Sequence, residues 1–356
     1  MKLRTLKLFE TEDKRKSKYH DEIVNLLREK CMTFINNNHA NLSEGYFVYR
    51  GLTDDQIAQI TKTKGFNRYY GIMQTRKDRK PKDNSIFMHM ISNETLKKYG
   101  NIEWRTQSVF GTTSIYMAED YGSAYVIFPI GDYDILYSEK IKDTIDINDF
   151  KKCVNFLDRH DPGLLNGISE LSTFVRELTK IFKDVALQIN KKHGTSFEYM
   201  QDPDSIVNKK SKLTVEIMSF VSRNFKWKES YFSYDAPNLN DINVDFYTPS
   251  YGYISDIYAT DTATKVMDNK NEIDREVDQM ITDKINASSK LIALYKVLMQ
   301  KLIETCLADN YKMSKQYQQV KASIEMMIHC DEYVCVHDSL MNDELINDVL
   351  GESNED

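Results

Sequence analysis

The feature that most constrains this chain is a change of hydrophobic period that later reverses itself. Short aromatic and β-branched runs recur over the first 145 residues: Tyr46–Arg50, Ser108–Gly111, Ala124–Phe128 and Tyr133–Tyr137. Each is bounded by Gly, Asn, Asp or Pro, which marks a strand. From about residue 147 the spacing becomes helical. Ile168, Leu171, Phe174, Val175, Leu178, Ile181, Phe182, Val185 and Ile189 form one apolar stripe; Ile273, Val277, Met280, Ile281, Ile285, Leu291, Leu294, Val297, Leu298 and Leu302 form a second. Both read as helices burying one face. Near residue 320 the helical pattern stops, and Ile324–Val336 reads as strand, turn, strand. A strand at the far end of a helical stretch needs a sheet to join, and the only candidate is the one at the front. The expectation is an α+β fold: one sheet formed by residues 1–146 plus 315–356, with a large helical insertion over 147–314.

Composition narrows this further. The 356 residues hold only 13 Gly and 6 Pro, and 253–350 contain neither, which disfavours an all-β fold. With 22 Tyr and 16 Phe the chain is too aromatic to be disordered. A helix is expected over 19–36, and an irregular excursion with a short hairpin over Tyr231–Tyr258. No apolar run reaches the ~18 residues of a membrane span, and the first residues lack the apolar core of a secretory signal. Five cysteines without framework spacing read as reduced thiols. The expected setting is the cytoplasm, with no membrane partner.

Charge is distributed unevenly. Asp338–Asp356 carries seven acids and no base, which accounts for the whole net charge of −7. This tail reads as a solvated end, or as a shield for a basic surface. Lys62–Lys82 holds eight bases against Asp78, a local +7. Such a patch in a neutral body suggests an anionic ligand, and leaves room for nucleic acid as a partner through 62–82.

Three separated signals would meet on the expected sheet. Arg50 ends an apolar strand in Phe47-Val-Tyr-Arg-Gly51, where Gly51 would let a ligand approach the backbone. Phe110-Gly-Thr112-Thr113-Ser114 offers three hydroxyls at a strand end, able to hold a carboxylate or a sugar. Glu325 lies inside an apolar strand, where a carboxylate is costly unless it is partnered or faces a cleft. No metal site is expected: His329, Cys330, Cys335 and His337 lack zinc-ligand spacing, and no CxxC exists. Neither GxGxxG nor a Walker A sequence is present.

In this order the signals resemble the R–S–E pattern of the ADP-ribosyltransferase superfamily. Tyr49-Arg50-Gly51 is similar to its first element. Phe110-Gly-Thr-Thr-Ser114, with Ala118 and Tyr121 behind it, resembles F-x-S-T-S-x(3)-A-x-x-F/Y. Glu325-Met-Met-Ile followed by Tyr333-Val-Cys-Val336 resembles the strand that carries the catalytic Glu and the aromatic strand beyond it. The resemblance covers about 45–146 and 320–336, and the Lys- and Asn-rich chain also resembles a phage-encoded branch. It implies the split mixed or antiparallel sheet of that family and a mono-ADP-ribosyltransferase that consumes NAD as substrate.

Under that resemblance the catalytic set is Glu325, Arg50 and Ser114, and the NAD-binding set is Arg50, Gly51, Thr112, Thr113 and Phe110. Arg50 would clamp the pyrophosphate and Gly51 backbone groups the nicotinamide carboxamide. Thr113 and Ser114 would orient Glu325, which would stabilise the transition state as nicotinamide leaves. The acceptor would be a macromolecule, chiefly a protein, a host protein included. Two departures stand out. Thr112 replaces the first Ser of the motif, and Ser323 stands two residues before Glu325 where the family usually has Glu or Gln. The second leaves the acceptor open and supports two alternatives: a catalytically silent phage or virion structural protein on the same fold, and a transferase acting on nucleic acid. Acids nearer to Ser114, namely Glu119, Asp120 and Glu139, lack the strand context of Glu325.

Overall fold

The computed structural model describes residues 19–62, 67–80, 86–147, 150–161, 163–164, 167–194, 198–199, 226–229, 244–247, 258–259, 270–317 and 324–351. The chain forms two compact units. One comprises Met1–Lys80, Asn93–Thr144 and Asp309–Asp356; the other comprises Pro81–Ser92 and Ile145–Ala308. The boundaries thus differ from the expected 146 and 315. The return to the sheet unit begins at Asp309, because Lys312–Ser314 already pairs as an edge strand. The segment 81–92 groups with the helical unit.

The sheet unit opens with α1 (19–30), α2 (Met32–Asn37) and α3 (His39–Ser43). The single helix expected over 19–36 is interrupted at Cys31. Next come β1 (Tyr49–Leu52), α4 (Asp54–Thr61), β2 (Tyr70–Gln74) and α5 (Ile86–Leu96), which crosses the boundary between the units. Then follow α6 (Trp104–Gln107), β3 (Val109–Thr112), α7 (Ile115–Glu119), β4 (Ser123–Pro129) and β5 (Asp134–Tyr137). After the second unit the chain adds β10 (Lys312–Ser314), β11 (Glu325–His329), β12 (Glu332–His337) and α12 (Asp343–Leu350).

The eight strands form one open sheet in the order β10-β5-β11-β3-β1-β4-β12-β2, and every pairing is antiparallel. The late strands β11 and β12 do not sit together. β11 lies between β5 and β3, and β12 between β4 and β2. They are the two arms of the strand-turn-strand segment, and β3, β1 and β4 stand between them in the strand order. β1 and β3 join the two halves through a single pair, Tyr49↔Thr112, whereas β1 pairs with β4 over four residues and β11 with β3 over four. The sheet is therefore continuous in order but held weakly at its middle.

β4 is buried from Ala124 to Pro129, as expected of a central strand covered on both faces. Its Phe128 meets Phe34 of α2 edge-on at 6.0 Å, and Phe34 packs on Tyr133 and Tyr317. Tyr317 donates to the Tyr46 carbonyl at 2.7 Å, and its backbone N–H donates to Asn38 Oδ1 at 3.1 Å. The early helices and the late chain are thus fastened together within one core.

The acidic tail is not simply a solvated end. Asn342 caps α12 by accepting from the Leu345 N–H at 2.8 Å, with Asp343 and Glu344 in the first turn, where the helix dipole favours acids. Leu345, Ile346 and Val349 join the sheet-unit core. Gly351, at φ 78°, closes the helix in the left-handed conformation. Residues 352–356 lie outside the described residues.

The second unit is built on α8 (Phe150–His160), α9 (Ser169–His193), α10 (Lys270–Asn286) and α11 (Ser289–Leu307). The first apolar stripe is one helix, and the second is two. Ser288 caps α11 by accepting from the Leu291 N–H at 3.3 Å, which ends α10 and starts a new axis. Two short antiparallel pairs also occur here. β6 (Glu198–Tyr199) pairs with β9 (Tyr258–Ala259), and β7 (Lys226–Glu229) with β8 (Val244–Tyr247). The expected hairpin falls within 231–258, of which only β8 and β9 are described.

Candidate active site

β11, β3 and β1 are neighbours, so the strands carrying Glu325, the Thr-Thr-Ser run and Arg50 lie side by side. Glu325 is the partner of Thr112, and Thr112 of Tyr49. Across two strand spacings of about 4.8 Å, Glu325 and Tyr49 are roughly 10 Å apart at Cα, and Arg50 is the next residue. Residues 275 positions apart in sequence are thereby brought within reach of one extended ligand.

The Arg50 guanidinium turns toward the parting between β1 and β3. Its Nη1 donates to the Phe110 carbonyl at 2.9 Å, a bond made across the seam where the ladder itself does not continue. Gly51 lies on the same open edge. Val48 accepts from Ile127 of β4, so by alternation Tyr49 and Gly51 direct their backbone groups toward β3. The absent side chain of Gly51 also has a packing cause. A Cβ there would sit 2.0 Å from the Ala118 carbonyl oxygen and 2.8 Å from Tyr121 Cβ. The chain itself approaches Gly51 closely on that side, through α7.

Phe110 is the centre of a cluster of cations. The Arg79 guanidinium carbon lies 3.8 Å from its ring centroid and that of Arg105 lies 5.3 Å away. Arg50 Nε, Arg79 Nη1 and Arg105 Nε are buried without an acceptor. Burial, then the like charges of Arg50 and Arg105, push Arg79 down to about 10, against the weaker pull of Glu325. Neither Arg79 nor Arg105 was singled out for the site by the sequence pattern. Arg79 belongs to the basic run but is dispersed from the rest of it. Lys77 pairs with Asp331 at 2.8 Å, Arg76 with Asp78 at 3.4 Å, and Arg68 lies over Tyr69. Lys64 and Lys82 fall outside the described residues.

Glu325 is largely covered, its side chain 22% exposed. Its backbone N–H donates to the Lys142 carbonyl at 2.7 Å. Thr144 Oγ1 donates to Glu325 Oε1 at 3.2 Å, and Arg105 Nη1 stands 3.9 Å from the same oxygen. Burial raises the carboxyl above its usual range; Arg105, Asp143, Arg79 and Thr144 modify the shift, Asp143 in the same direction and the others against it. Tyr311 is buried beside this group and is held well above the ordinary phenol range, first by burial and then by the Glu325 charge.

The hydroxyl run is placed differently from expectation. Ser114 caps α7, accepting from the Met117 N–H at 3.4 Å. Thr112 is buried and its Oγ1 accepts from the Ser114 N–H at 3.2 Å. Thr113 Oγ1 accepts from the Ile324 N–H at 3.4 Å, which ties the motif to the residue before Glu325. The hydroxyl found on the carboxylate is that of Thr144, a residue with no motif around it. Ser323 lies outside the described residues.

The other candidate groups stay apart. The rivals Glu119, Asp120 and Glu139 are exposed, and Lys312 pairs with Glu139 at 2.7 Å. Cys330 contacts Thr75, the Cys335 thiol donates to the Gly71 carbonyl, His329 meets the Gln107 carbonyl, and His337 meets Ser339. All five cysteines are buried and none is in a disulfide among the described residues. Among the described residues no helix is long and apolar enough to cross a membrane. No protein-family model matches the chain, and comparison with curated proteins and with solved structures finds no match.

Proposed function

We propose that the sheet unit is an NAD-consuming mono-ADP-ribosyltransferase with a macromolecular, chiefly protein, acceptor. The observation that carries this reading is the row Glu325–Thr112–Tyr49, with Arg50 beside it, across the weakly joined middle of the sheet. The three elements of the R–S–E resemblance would share one cleft there. Arg105 and Arg79 act on the one carboxylate and Arg50 acts on Arg79, which leaves an excess of positive charge, and the unpaired nitrogens of the three call for an oxyanion ligand. A diphosphate supplies two charges and several acceptors.

In this reading Arg50 grips the NAD diphosphate with its planar fork, and Arg79 and Arg105 add to the field around it. The open backbone edge at Gly51 receives the carboxamide. Glu325 accepts from the ribose 2′-hydroxyl of the nicotinamide side and stabilises positive charge at C1′. The C1′–N bond breaks, and nicotinamide departs with the electron pair. An acceptor oxygen or nitrogen then bonds to C1′ and releases its proton. NAD is used up in each cycle.

Purified protein incubated with NAD labelled in the adenylate portion, with and without bacterial lysate, tests this. Labelled protein together with free nicotinamide supports the transferase. Label on nucleic acid would shift the acceptor to that class. Absence of nicotinamide release would leave the catalytically silent structural protein.

A further inference from the structure

This inference rests on the reading of Glu325 as the charged group at the NAD cleavage site. It asks what holds that carboxylate. In the Thr-Thr-Ser run, Ser114 accepts from the Met117 N–H as the cap of α7, and the Thr113 hydroxyl accepts from the Ile324 N–H. The segment 142–144 grips the start of β11 instead. Lys142 accepts from the Glu325 N–H at 2.7 Å, and Thr144 donates to Oε1 at 3.2 Å, so backbone and side chain are held from one side.

The direction of the Thr144 hydrogen bond is forced. Arg105 Nη1 donates to Thr144 Oγ1 at 2.6 Å, and a guanidinium cannot accept. Arg105 occupies one of the two lone pairs, the hydroxyl keeps its proton, and the ionised Glu325 carboxylate, which can only accept, takes it at Oε1. Thr144 is 1% exposed and Arg105 7%, so the two donors of the relay are shielded from water. We propose that Thr144 is the positioning residue for Glu325, with its hydroxyl aimed by Arg105, in the role that the resemblance gave to Thr113 and Ser114. The charged groups around the carboxylate are Arg105 on α6, Arg79 in the segment after β2, Asp143 beside Thr144, and Tyr311 ahead of β10.

The test uses the full chain labelled with glutamate carrying carbon-13 at the carboxyl, with the Glu325 signal identified by its absence in Glu325→Gln. Its titration is followed by NMR in the parent, Thr144→Val, Thr144→Ala, Thr144→Ser and Ser114→Ala. Losing a hydroxyl donor to the ionised form should raise proton affinity roughly tenfold in both Thr144→Val and Thr144→Ala. Thr144→Ser should restore the parent midpoint, and Ser114→Ala should leave it in place. With NAD, Thr144→Val should lower kcat roughly 10–100-fold with little change in KM, and the acid limb of its pH profile should move with the NMR midpoint. An unmoved midpoint in both Thr144→Val and Thr144→Ala, or an equal shift in Ser114→Ala, overturns the assignment. If the parent released no nicotinamide, the transferase reading would fall, while the titration would still decide what Thr144 does.

Discussion

The two units handle charge in opposite ways. In the helical unit the described ion pairs sit at the surface: Lys301–Glu170, Lys290–Glu177, Lys284–Asp184 and Lys192–Glu276 each retain an exposed partner. The positions facing inward there are apolar, such as Phe174, Leu178, Phe182, Leu298 and Leu302. In the sheet unit, Arg50, Arg79, Arg105 and Glu325 are drawn partly or wholly inside, and three of their nitrogens lack an acceptor. Surface pairs contribute ~0–1 kcal/mol each, whereas an unpaired buried donor costs about 1–3 kcal/mol. A fold does not gather like charges around one ring for its own stability. The helical unit is a packing solution; the middle of the sheet carries unfavourable electrostatics that a ligand would relieve.

That contrast can be broken most directly at Glu325. Glu325→Gln should lower NAD turnover roughly 10²–10³-fold with NAD affinity retained, since Arg50 and the Gly51 edge remain. Glu276→Gln, in the helical unit, should leave turnover at the parent level. Nicotinamide release and calorimetric binding of NAD to both variants check this. A fall in turnover for Glu276→Gln alone would remove the distinction.

Core deletion should affect both units similarly, because packing does not depend on the charge they carry. Phe128→Ala in the sheet unit should lose about 3–5 kcal/mol and Leu302→Ala in the helical unit about 2–5 kcal/mol. Both residues are fully buried. Denaturant unfolding measures it, and a loss below about 1 kcal/mol at either site would show that the unit is loosely packed.

Arg79 sharpens the comparison. Its burial among like charges destabilises the folded state, so Arg79→Met should raise stability by about 1 kcal/mol while weakening binding of NAD or inorganic pyrophosphate. The sign with pH follows from its lowered affinity for the proton. The penalty is full below about 10, and it fades as pH climbs from there toward the ordinary guanidinium range. For Glu325, whose carboxyl is raised, the folded protein binds the proton more tightly than the unfolded chain. Its contribution to stability therefore falls as pH rises from the ordinary carboxylate range, about 4.3, through the raised value. Relative to the parent, Glu325→Gln should gain melting temperature on crossing that window upward. A gain below it, or none above it, contradicts the burial argument.

The smallest effect belongs to the surface of the helical unit. Lys192→Ala removes a partner of Glu276, whose carboxyl is held low by Lys192 and His193. The loss should be under ~1 kcal/mol and should shrink with added salt. Thermal melts at low and high ionic strength test it.

Periodicity in the sequence determined which segments became strands and helices, because side-chain alternation at 2.0 or 3.6 is set by the local backbone. It placed β1, β3, β4, β5, β11 and β12, the long helix α9, and the return of the late chain to the front. It also put Arg50, the Thr-Thr-Ser run and Glu325 on or beside strands, although Arg50, expected to end its strand, lies inside β1, and Glu325, expected inside its strand, begins β11. It missed β2, whose Tyr-Tyr-Gly-Ile-Met run lies inside the basic stretch 62–82, and β10, which holds no apolar run, and it read α12 as tail because seven acids masked Leu345, Ile346 and Val349. The break at Ser288 was legible as a cap but was hidden by a continuous stripe on either side.

Only the tertiary structure decided what surrounds the carboxylate. Strand order separated β11 from β12 and set β11 against β3, a long-range pairing that no local pattern encodes. That choice brought Thr144 from 181 positions away, and it gathered Arg79 and Arg105 around Phe110 although neither carries a motif. It also assigned Ser114 to a helix cap, because the chain turns into α7 at that residue and an unpaired N–H lies within reach of its hydroxyl. Backbone conformation is a local preference that a sequence can carry by itself. The partner of a buried charge depends on which distant segments share its neighbourhood, and packing of the whole chain decides that.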